Sequence, residues 1–208
     1  MFFVDAPWPM IVQRKHPNNM LLTLIAERPA EVCGARWRED VSLDGAGTIA
    51  VGNTRTIVYD RHRERGLRNK VVEKQPKTQY GKRVLPLPKP VHTALTAFHV
   101  RQEQEKDEAG EAYEASGYVV VDELGRPFKT DKLRREAQKL MEAAGVRRVR
   151  LYDARHACLS WMANNDAPDT VVSAWAGHSD LSFTKRVYVH PDPQSLKAGS
   201  EKLGELLG

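Results

Sequence analysis

Hydrophobic residues recur at intervals of three and four through much of the chain, a pattern that predicts amphipathic helices. Proline, glycine and polar capping residues mark where these helices should begin and end. A helix capped by Asn18 or Asn19 should break near Glu27, and a new helix with Pro29 in its first turn should run to about Trp37. Further helices are predicted over residues 90–104, from a cap at Thr130 to Gly145, from a cap at Asp153 onward, from Pro168 to Gly177, around Tyr188 and over residues 194–206.

Between the first helices and residue 90, hydrophobic residues instead form short β-branched runs separated by glycine or charged turns. These runs lie at residues 48–51, 56–59, 71–73 and 83–87, and their connections are too short for crossover helices. They predict one small antiparallel sheet. Residues 118–121 predict a further buried strand or extended segment. The fold class is therefore expected to be α+β and mainly helical.

Composition narrows the class of protein only slightly. The chain has 208 residues, of which 41% are hydrophobic and 28% charged, enough for one domain with a core. A formal net charge of +5 permits nucleic-acid binding without establishing it. Cys33 and Cys158 lack CxxC spacing, which favours small core residues over a disulfide or zinc site. Because no apolar run approaches the roughly 20 residues that span a membrane, the cytoplasm is the expected location.

Four short stretches carry residues that could do chemistry, although each has a simple structural explanation when taken alone. Arg28 and Glu31 lie three positions apart, so a helical turn places them side by side. A lysine in a turn, such as Lys77, usually serves solubility. Arg155 lies in the first turn of a helix, where its guanidinium needs a partner, and a phosphate is one option. The four stretches hold Arg28 with Glu31, Lys77, Tyr152 with Arg155, and His178 with Tyr188.

In this order and spacing, the four stretches resemble the catalytic domain of the tyrosine recombinase (phage integrase) family over residues 21–188. The family pattern has an Arg followed by Glu and Trp, then a Pro-Lys-Thr turn, a His-x-x-Arg box, and Gly-His with a Tyr about ten residues on. The matching residues are Arg28, Glu31, Trp37, Pro76-Lys77-Thr78 with the trailing Arg83-Val84-Leu85-Pro86-Leu87, Arg155, Gly177, His178 and Tyr188.

The chain departs from the family pattern in two places. Ile25-Ala26-Glu27 stands where the family usually has Thr-Gly-Leu, which we interpret as a difference in local packing. Tyr152 replaces the first His of the His-x-x-Arg box, as it does in actinobacterial integrases. A tyrosine can donate a hydrogen bond but is a poor base at neutral pH. His156, one place past Arg155, is expected to be structural.

The resemblance implies a role for each matching residue. Tyr188 would attack a DNA phosphate and form a transient 3′-phosphotyrosine, without metal or cofactor. Arg28 and Arg155 would hold the non-bridging oxygens, which suits the fixed fork of a guanidinium. The supporting roles fall to His178 as a second donor, Lys77 as the acid for the leaving 5′-oxygen, Tyr152 in place of the usual His, and Glu31 as the residue that orients Arg28.

The resemblance also implies partners and organisation. Double-stranded DNA with an attachment or recombination site would be the substrate, bound by a homotetramer in the nucleoid of a bacterial host, with excisionase or accessory proteins and no membrane. We expect a single catalytic domain over residues 1–208, with a lead-in over about 1–17 and no N-terminal core-binding domain. The helix over residues 194–206 would dock on a neighbouring subunit or on its own domain.

Three alternatives remain open at this point. A DNA-binding remnant without catalysis would bind DNA but form no covalent link. A type IB topoisomerase shares the chemistry but relaxes supercoils without a partner site, and the integrase-like spacing disfavours it. A hydrolase that uses His156, His178 or a serine with a metal is disfavoured because the chain has neither HExxH nor GxSxG.

Overall fold

The structure, a computed structural model, describes residues 25–59, 61, 62, 64, 69–75, 81–180, 182, 197, 200, 201 and 203–205. Lys77, Tyr188 and the predicted helix that starts at Asn18 or Asn19 therefore lie outside the described residues. Of the predicted C-terminal helix, residues 197, 200, 201 and 203–205 are described and are helical.

Helices make up about half of the described chain, and a small part of it is sheet. No described helix is long and apolar enough to cross a bilayer. The α-helices are α1 (Pro29–Val32), α2 (Trp37–Asp40), α3 (Lys89–Ala109), α4 (Thr130–Ala143), α5 (Leu151–Asn164) and α6 (Asp169–Ala176), and a 3-10 turn, Gly110–Ala112, follows α3.

The prediction that the Pro29 helix reaches Trp37 is wrong, because α1 ends at Val32. Gly34 lies directly against the backbone ahead of the third strand, where an added Cβ would be 2.8 Å from the carbonyl oxygen of Asn53. The chain then extends through Arg36, which forms an isolated antiparallel bridge with Tyr118. A tertiary contact therefore ends this helix, and α2 begins separately at Trp37.

Other helix ends agree with the sequence more closely. Gly177 ends α6 in the left-handed conformation at φ 65°, as predicted. Thr130 is the first helical residue of α4 rather than its cap. The prediction that Asp153 caps α5 is also wrong: the helix begins at Leu151, and the Asp153 carboxylate accepts a hydrogen bond from the backbone N–H of Arg150 at 3.1 Å.

The predicted single sheet is two separate antiparallel sheets. Strands β1 (Val41–Ser42), β2 (Thr48–Val51) and β5 (Arg83–Pro86) form one in the order β1-β2-β5. Strands β3 (Thr54–Tyr59) and β4 (Asn69–Lys74) form a hairpin in which Thr54 pairs with Lys74 and Tyr59 with Asn69. The short strand β1 had no signal in the sequence pattern, since it holds only two residues.

The main core lies between the three-stranded sheet and helices α3 and α4, where Ile49, Leu95 and Leu133 are buried. The predicted extended segment over residues 118–121 is buried in full, with Val119 and Val120 at 0% exposure. A second, smaller cluster joins Ala26 to Leu159 of α5 and to Val172 and Ala176 of α6. This cluster fixes helices α5 and α6 against the chain just ahead of Arg28, and it therefore positions the candidate site.

Candidate active site

Glu31 lies at the centre of a network of two arginines. Its Oε2 accepts the backbone N–H of Arg28 at 2.8 Å and its Oε1 accepts Nη1 of Arg28 at 2.6 Å. Arg83 of β5 donates Nη2 to Oε2 at 3.1 Å and Nη1 to Oε1 at 3.3 Å. Burial acts to raise the pKa of Glu31, but the hydrogen bond and charge of Arg83, with the charge of Arg28, hold it below its ordinary value. Glu31 is therefore a carboxylate, and it orients both guanidiniums.

Arg28 is the exposed member of this network. Its side chain retains 34% of its surface, whereas the Arg83 and Glu31 side chains retain 7% and 3%. Burial acts to lower the pKa of Arg28, but the charge and hydrogen bond of Glu31, together with those of Tyr152, raise it. The guanidinium therefore stays charged. Glu31 binds it on its buried side, and its exposed side is accessible to an anion.

Arg83 is a site residue that the sequence analysis missed. Besides Glu31, it donates Nε to the carbonyl oxygen of Trp175 in α6 at 2.7 Å, and the Trp175 indole donates to the carbonyl of Ile25 at 2.8 Å. The signal available was the Arg that begins the run 83–87, which counted as a β-strand and as part of the family match after the Pro-Lys-Thr turn but was given no role in the site. Its role depends on partners 52 and 92 residues away along the chain, which no local pattern reveals.

Arg155, in the first turns of α5, is buried in full at 0% exposure. Its Nη1 donates to the carbonyl of Ala26 and its Nη2 to the carbonyl of Ala176, while Nε has no partner among the described residues. These carbonyls lie two residues ahead of Arg28 and of His178. Burial, then the charge of Arg28, lowers the pKa of Arg155 to about 10. Arg155 therefore bridges, by hydrogen bonds, the two segments that carry Arg28 and His178.

His178 follows the left-handed Gly177, and its backbone N–H donates to the carbonyl of Ser173 at 3.1 Å. The side chain is half-buried. Burial lowers its pKa to about 4, and the positive charges of Arg155, Arg28 and Arg83 act in the same direction. At neutral pH the imidazole is uncharged, so one ring nitrogen carries a proton that can be donated.

Tyr152 lies on the open side of the cluster, with 46% of its surface exposed. Its hydrogen bond and charge contribute to the raised pKa of Arg28, which places the phenol beside that guanidinium. Its ring also meets His156 edge-on, with 5.0 Å between the ring centroids. Tyr152 thus occupies a position from which a neutral O–H could donate to the same anion as Arg28.

Glu27 was also missed as a site residue. It retains 1% of its surface, and its Oε2 has no hydrogen-bond partner among the described residues. The preceding Ala26 is in the left-handed conformation, at φ 70°. The sequence analysis interpreted Ile25-Ala26-Glu27 as a packing difference, yet the segment brings an ionisable group into the interior of the site.

The structure therefore brings Arg28, Glu31, Tyr152, Arg155 and His178 into one cluster. Lys77 and Tyr188 lie outside the described residues, and their roles stay predictions. Across the described ranges there is no group of three or more His, Cys, Asp or Glu side chains that could hold a metal ion.

The fold, a helical body with two small antiparallel sheets, is similar to that of solved recombinases. The structure of the Tn1549 transposon integrase in complex with transposon right end DNA superposes with a TM-score of 0.72 at 18% identity, over 98% of this chain and 66% of that one. The XerA recombinase superposes with a TM-score of 0.62. The predicted fold class is confirmed.

The chain belongs to the Phage integrase family, whose sequence profile matches residues 18–195. A tyrosine recombinase XerC-like protein of Caldanaerobacter subterraneus subsp. tengcongensis is 31% identical over 69% of this chain and 38% of its own length. An integrase of Streptomyces ambofaciens is 29% identical over 83% of this chain and 43% of its own. The predicted family is confirmed, and the chain spans about two fifths of the length of these relatives.

Proposed function

We propose that this chain is the catalytic domain of a site-specific DNA recombinase of a mobile genetic element, which cleaves and rejoins strands through a 3′-phosphotyrosine. The observation that carries the proposal is the convergence of Arg28, Arg155 and His178, which come from three separate stretches of sequence, around a cluster held by Glu31. A phosphodiester gains a second negative charge when it is attacked, and fixed cations stabilise that charge.

Arg28, Tyr152 and His178 are the described groups that reach the surface of the cluster, so we assign them the non-bridging oxygens. A charged guanidinium and two neutral donors suit an oxyanion that must be bound without proton transfer. Arg155 is assigned the same oxygens on the family pattern. In the DNA-free structure it holds two backbone carbonyls, so direct contact would require the residues that cover it to move.

In the proposed reaction, the Tyr188 oxygen forms a bond to phosphorus while the bond from phosphorus to the 5′-oxygen breaks. Ionising a phenol with a pKa near 10 costs about 4 kcal/mol at pH 7, and nearby cations reduce that cost. Lys77 gives its proton to the departing 5′-oxygen. Because the phosphotyrosine conserves the energy of the broken bond, attack by a second 5′-hydroxyl rejoins the strand without ATP.

The partner would be double-stranded DNA with an attachment site, bound by a homotetramer with accessory proteins in a bacterial cytoplasm. Exposed cations favour contact with the DNA backbone, and binding should weaken steeply with salt. Several of them already pair with neighbouring carboxylates, for which phosphates would compete. Among the exposed cations of the described residues, those we assign to the DNA backbone are Arg61, Lys70, Arg134, Arg135, Arg147, Arg148 and Arg150.

A covalent-trapping experiment tests the proposal and does not require a known target sequence. A pool of nicked duplexes with a randomised centre is incubated with the protein, and DNA that stays attached after denaturation is recovered and sequenced. An enriched site that is lost with Tyr188→Phe supports the recombinase, and adducts that form equally in EDTA support metal-free chemistry. Specific binding without any adduct would instead show a DNA-binding remnant.

A plasmid assay separates the recombinase from a type IB topoisomerase. A recombinase should exchange strands only between two copies of the enriched site. Relaxation of a supercoiled plasmid that lacks the site would contradict site-specific recombination.

A further inference from the structure

Glu27 is an ionisable residue at the centre of the site to which the proposed reaction gives no role. It immediately precedes Arg28, at a position where the family resemblance places an apolar residue. Only 1% of its surface is exposed, and its Oε2 is buried without a hydrogen-bond partner among the described residues. A carboxylate in such a place is far less stable than a carboxylic acid, since ionised oxygens need donors or cations.

The cations near Glu27 already have partners. Among the described residues, Arg83 and Arg155 are the two cations that act on it, but Arg83 is bound to Glu31 and to the Trp175 carbonyl, and Arg155 is bound to two carbonyls. The other charged groups that face it are the carboxylates of Glu31 and Asp40, which repel a further negative charge. Within the described part of the chain, Glu27 forms no ion pair.

We propose that Glu27 is held as a neutral carboxylic acid and thereby sets the net charge with which the site meets a phosphate, an inference that rests on the proposed function. Within the described network, the guanidiniums of Arg28, Arg83 and Arg155 outweigh the carboxylate of Glu31 by two positive charges. A phosphodiester under attack gains a second negative charge, which this excess stabilises. If Glu27 ionised, it would remove one of the two positive charges of the network.

The titration of Glu27 supports this arrangement. Burial, followed by the charge of Glu31, raises its pKa to about 8, and Arg83 and Arg155 offset only part of that rise. Glu27 is therefore mostly protonated at pH 7 and mostly ionised at pH 9. The charge of the site, and with it the stabilisation of the attacked phosphate, should fall across that interval.

The test compares the rate of covalent trapping on the enriched site from pH 6 to pH 9.5 for wild type, Glu27→Gln and Glu39→Gln. Glutamine reproduces the neutral acid, and Glu39 is an exposed carboxylate that serves as a matched control. The rates of wild type and of Glu39→Gln, each divided by the rate of Glu27→Gln, should fall about tenfold between pH 7 and pH 9, because the titrations of Tyr188 and Lys77 are common to all three proteins. At pH 7 the rate of Glu27→Gln should match that of wild type within about threefold. A ratio that stays constant from pH 7 to pH 9, or a loss above tenfold in Glu27→Gln at pH 7, would overturn the proposal.

A measurement without DNA keeps the inference separate from the proposed function. Unfolding by urea is followed from pH 5 to pH 9 for the same proteins, with Glu27→Leu as a second neutral variant. The wild-type midpoint should fall relative to both Glu27 variants as the pH rises, because the folded state holds a proton that the unfolded state releases. A constant difference would show that Glu27 is not held neutral. If even wild type forms no adduct while this shift is present, the recombinase proposal fails and the protonation of Glu27 stands.

Discussion

Arg28 and Arg155 are the two arginines that the family pattern names in the candidate site, and their surroundings differ in almost every respect. Arg28 keeps a third of its side chain exposed and is paired with a carboxylate. Arg155 is fully buried, and its two Nη donors are bound to backbone carbonyls of distant segments. The first guanidinium is partly open to solvent, whereas the second joins distant segments of the fold, so their removal should affect different properties of the protein.

The largest effect should come from Arg155→Ala, measured as the free energy of unfolding in urea. The change leaves the buried carbonyls of Ala26 and Ala176 without donors and opens a cavity between α5 and α6. We expect a loss of about 4 kcal/mol, because each unsatisfied buried acceptor costs about 1–3 kcal/mol. Arg155→Lys should lose about half as much free energy of unfolding, since a lysine ammonium lacks the two separated Nη donors of the planar guanidinium. A loss below about 1 kcal/mol for Arg155→Ala would show that Arg155 does not hold these two segments together.

Arg28→Ala should have the opposite effect, with little change in the free energy of unfolding and a large loss of covalent trapping. Glu31 keeps its two hydrogen bonds from Arg83, and the lost side chain is partly exposed, so unfolding should change by no more than about 1 kcal/mol. Covalent trapping should fall by about 10²- to 10³-fold, the usual effect of removing one donor to a developing oxyanion. Trapping within threefold of wild type would show that Arg28 does not meet the phosphate.

Glu31→Gln tests the ion network that joins Arg28 to Arg83, and we expect the free energy of unfolding to fall by about 3 kcal/mol at pH 7. The change removes the counter-charge of the buried Arg83. The folded-state pKa of Glu31 lies below its ordinary value of 4.5. Its contribution is therefore complete above that value and is lost as the pH falls through the folded-state pKa. Urea unfolding at pH 7 and pH 3 should show the gap to wild type narrowing in acid, and an unchanged gap would contradict the ion network.

What the sequence could predict depended on how local each feature is. The contact between Arg28 and Glu31 follows from helical spacing, and the end of α6 follows from Gly177. The end of α1 did not, because it is imposed by Asn53 against Gly34. The partners of Arg83 and Arg155 likewise lie in other elements. The family pattern could name the residues of the site but could not show which guanidinium is open and which is enclosed.

The smallest effect concerns Ala26, whose carbonyl Arg155 holds and whose backbone is left-handed at φ 70°. Glycine would relieve about 1–2 kcal/mol of backbone strain, but it gains flexibility in the unfolded chain and loses a buried methyl worth about 0.8 kcal/mol. These contributions nearly cancel, so Ala26→Gly should leave the free energy of unfolding within about 1 kcal/mol of wild type.

Ala176→Gly is the matched control, since its methyl is equally buried in the same cluster but its backbone is helical. It should lose about 1–2 kcal/mol, because glycine in a helix adds its own penalty to the lost methyl. Equal losses in the two variants would mean that the left-handed turn ahead of Arg28 stores no strain.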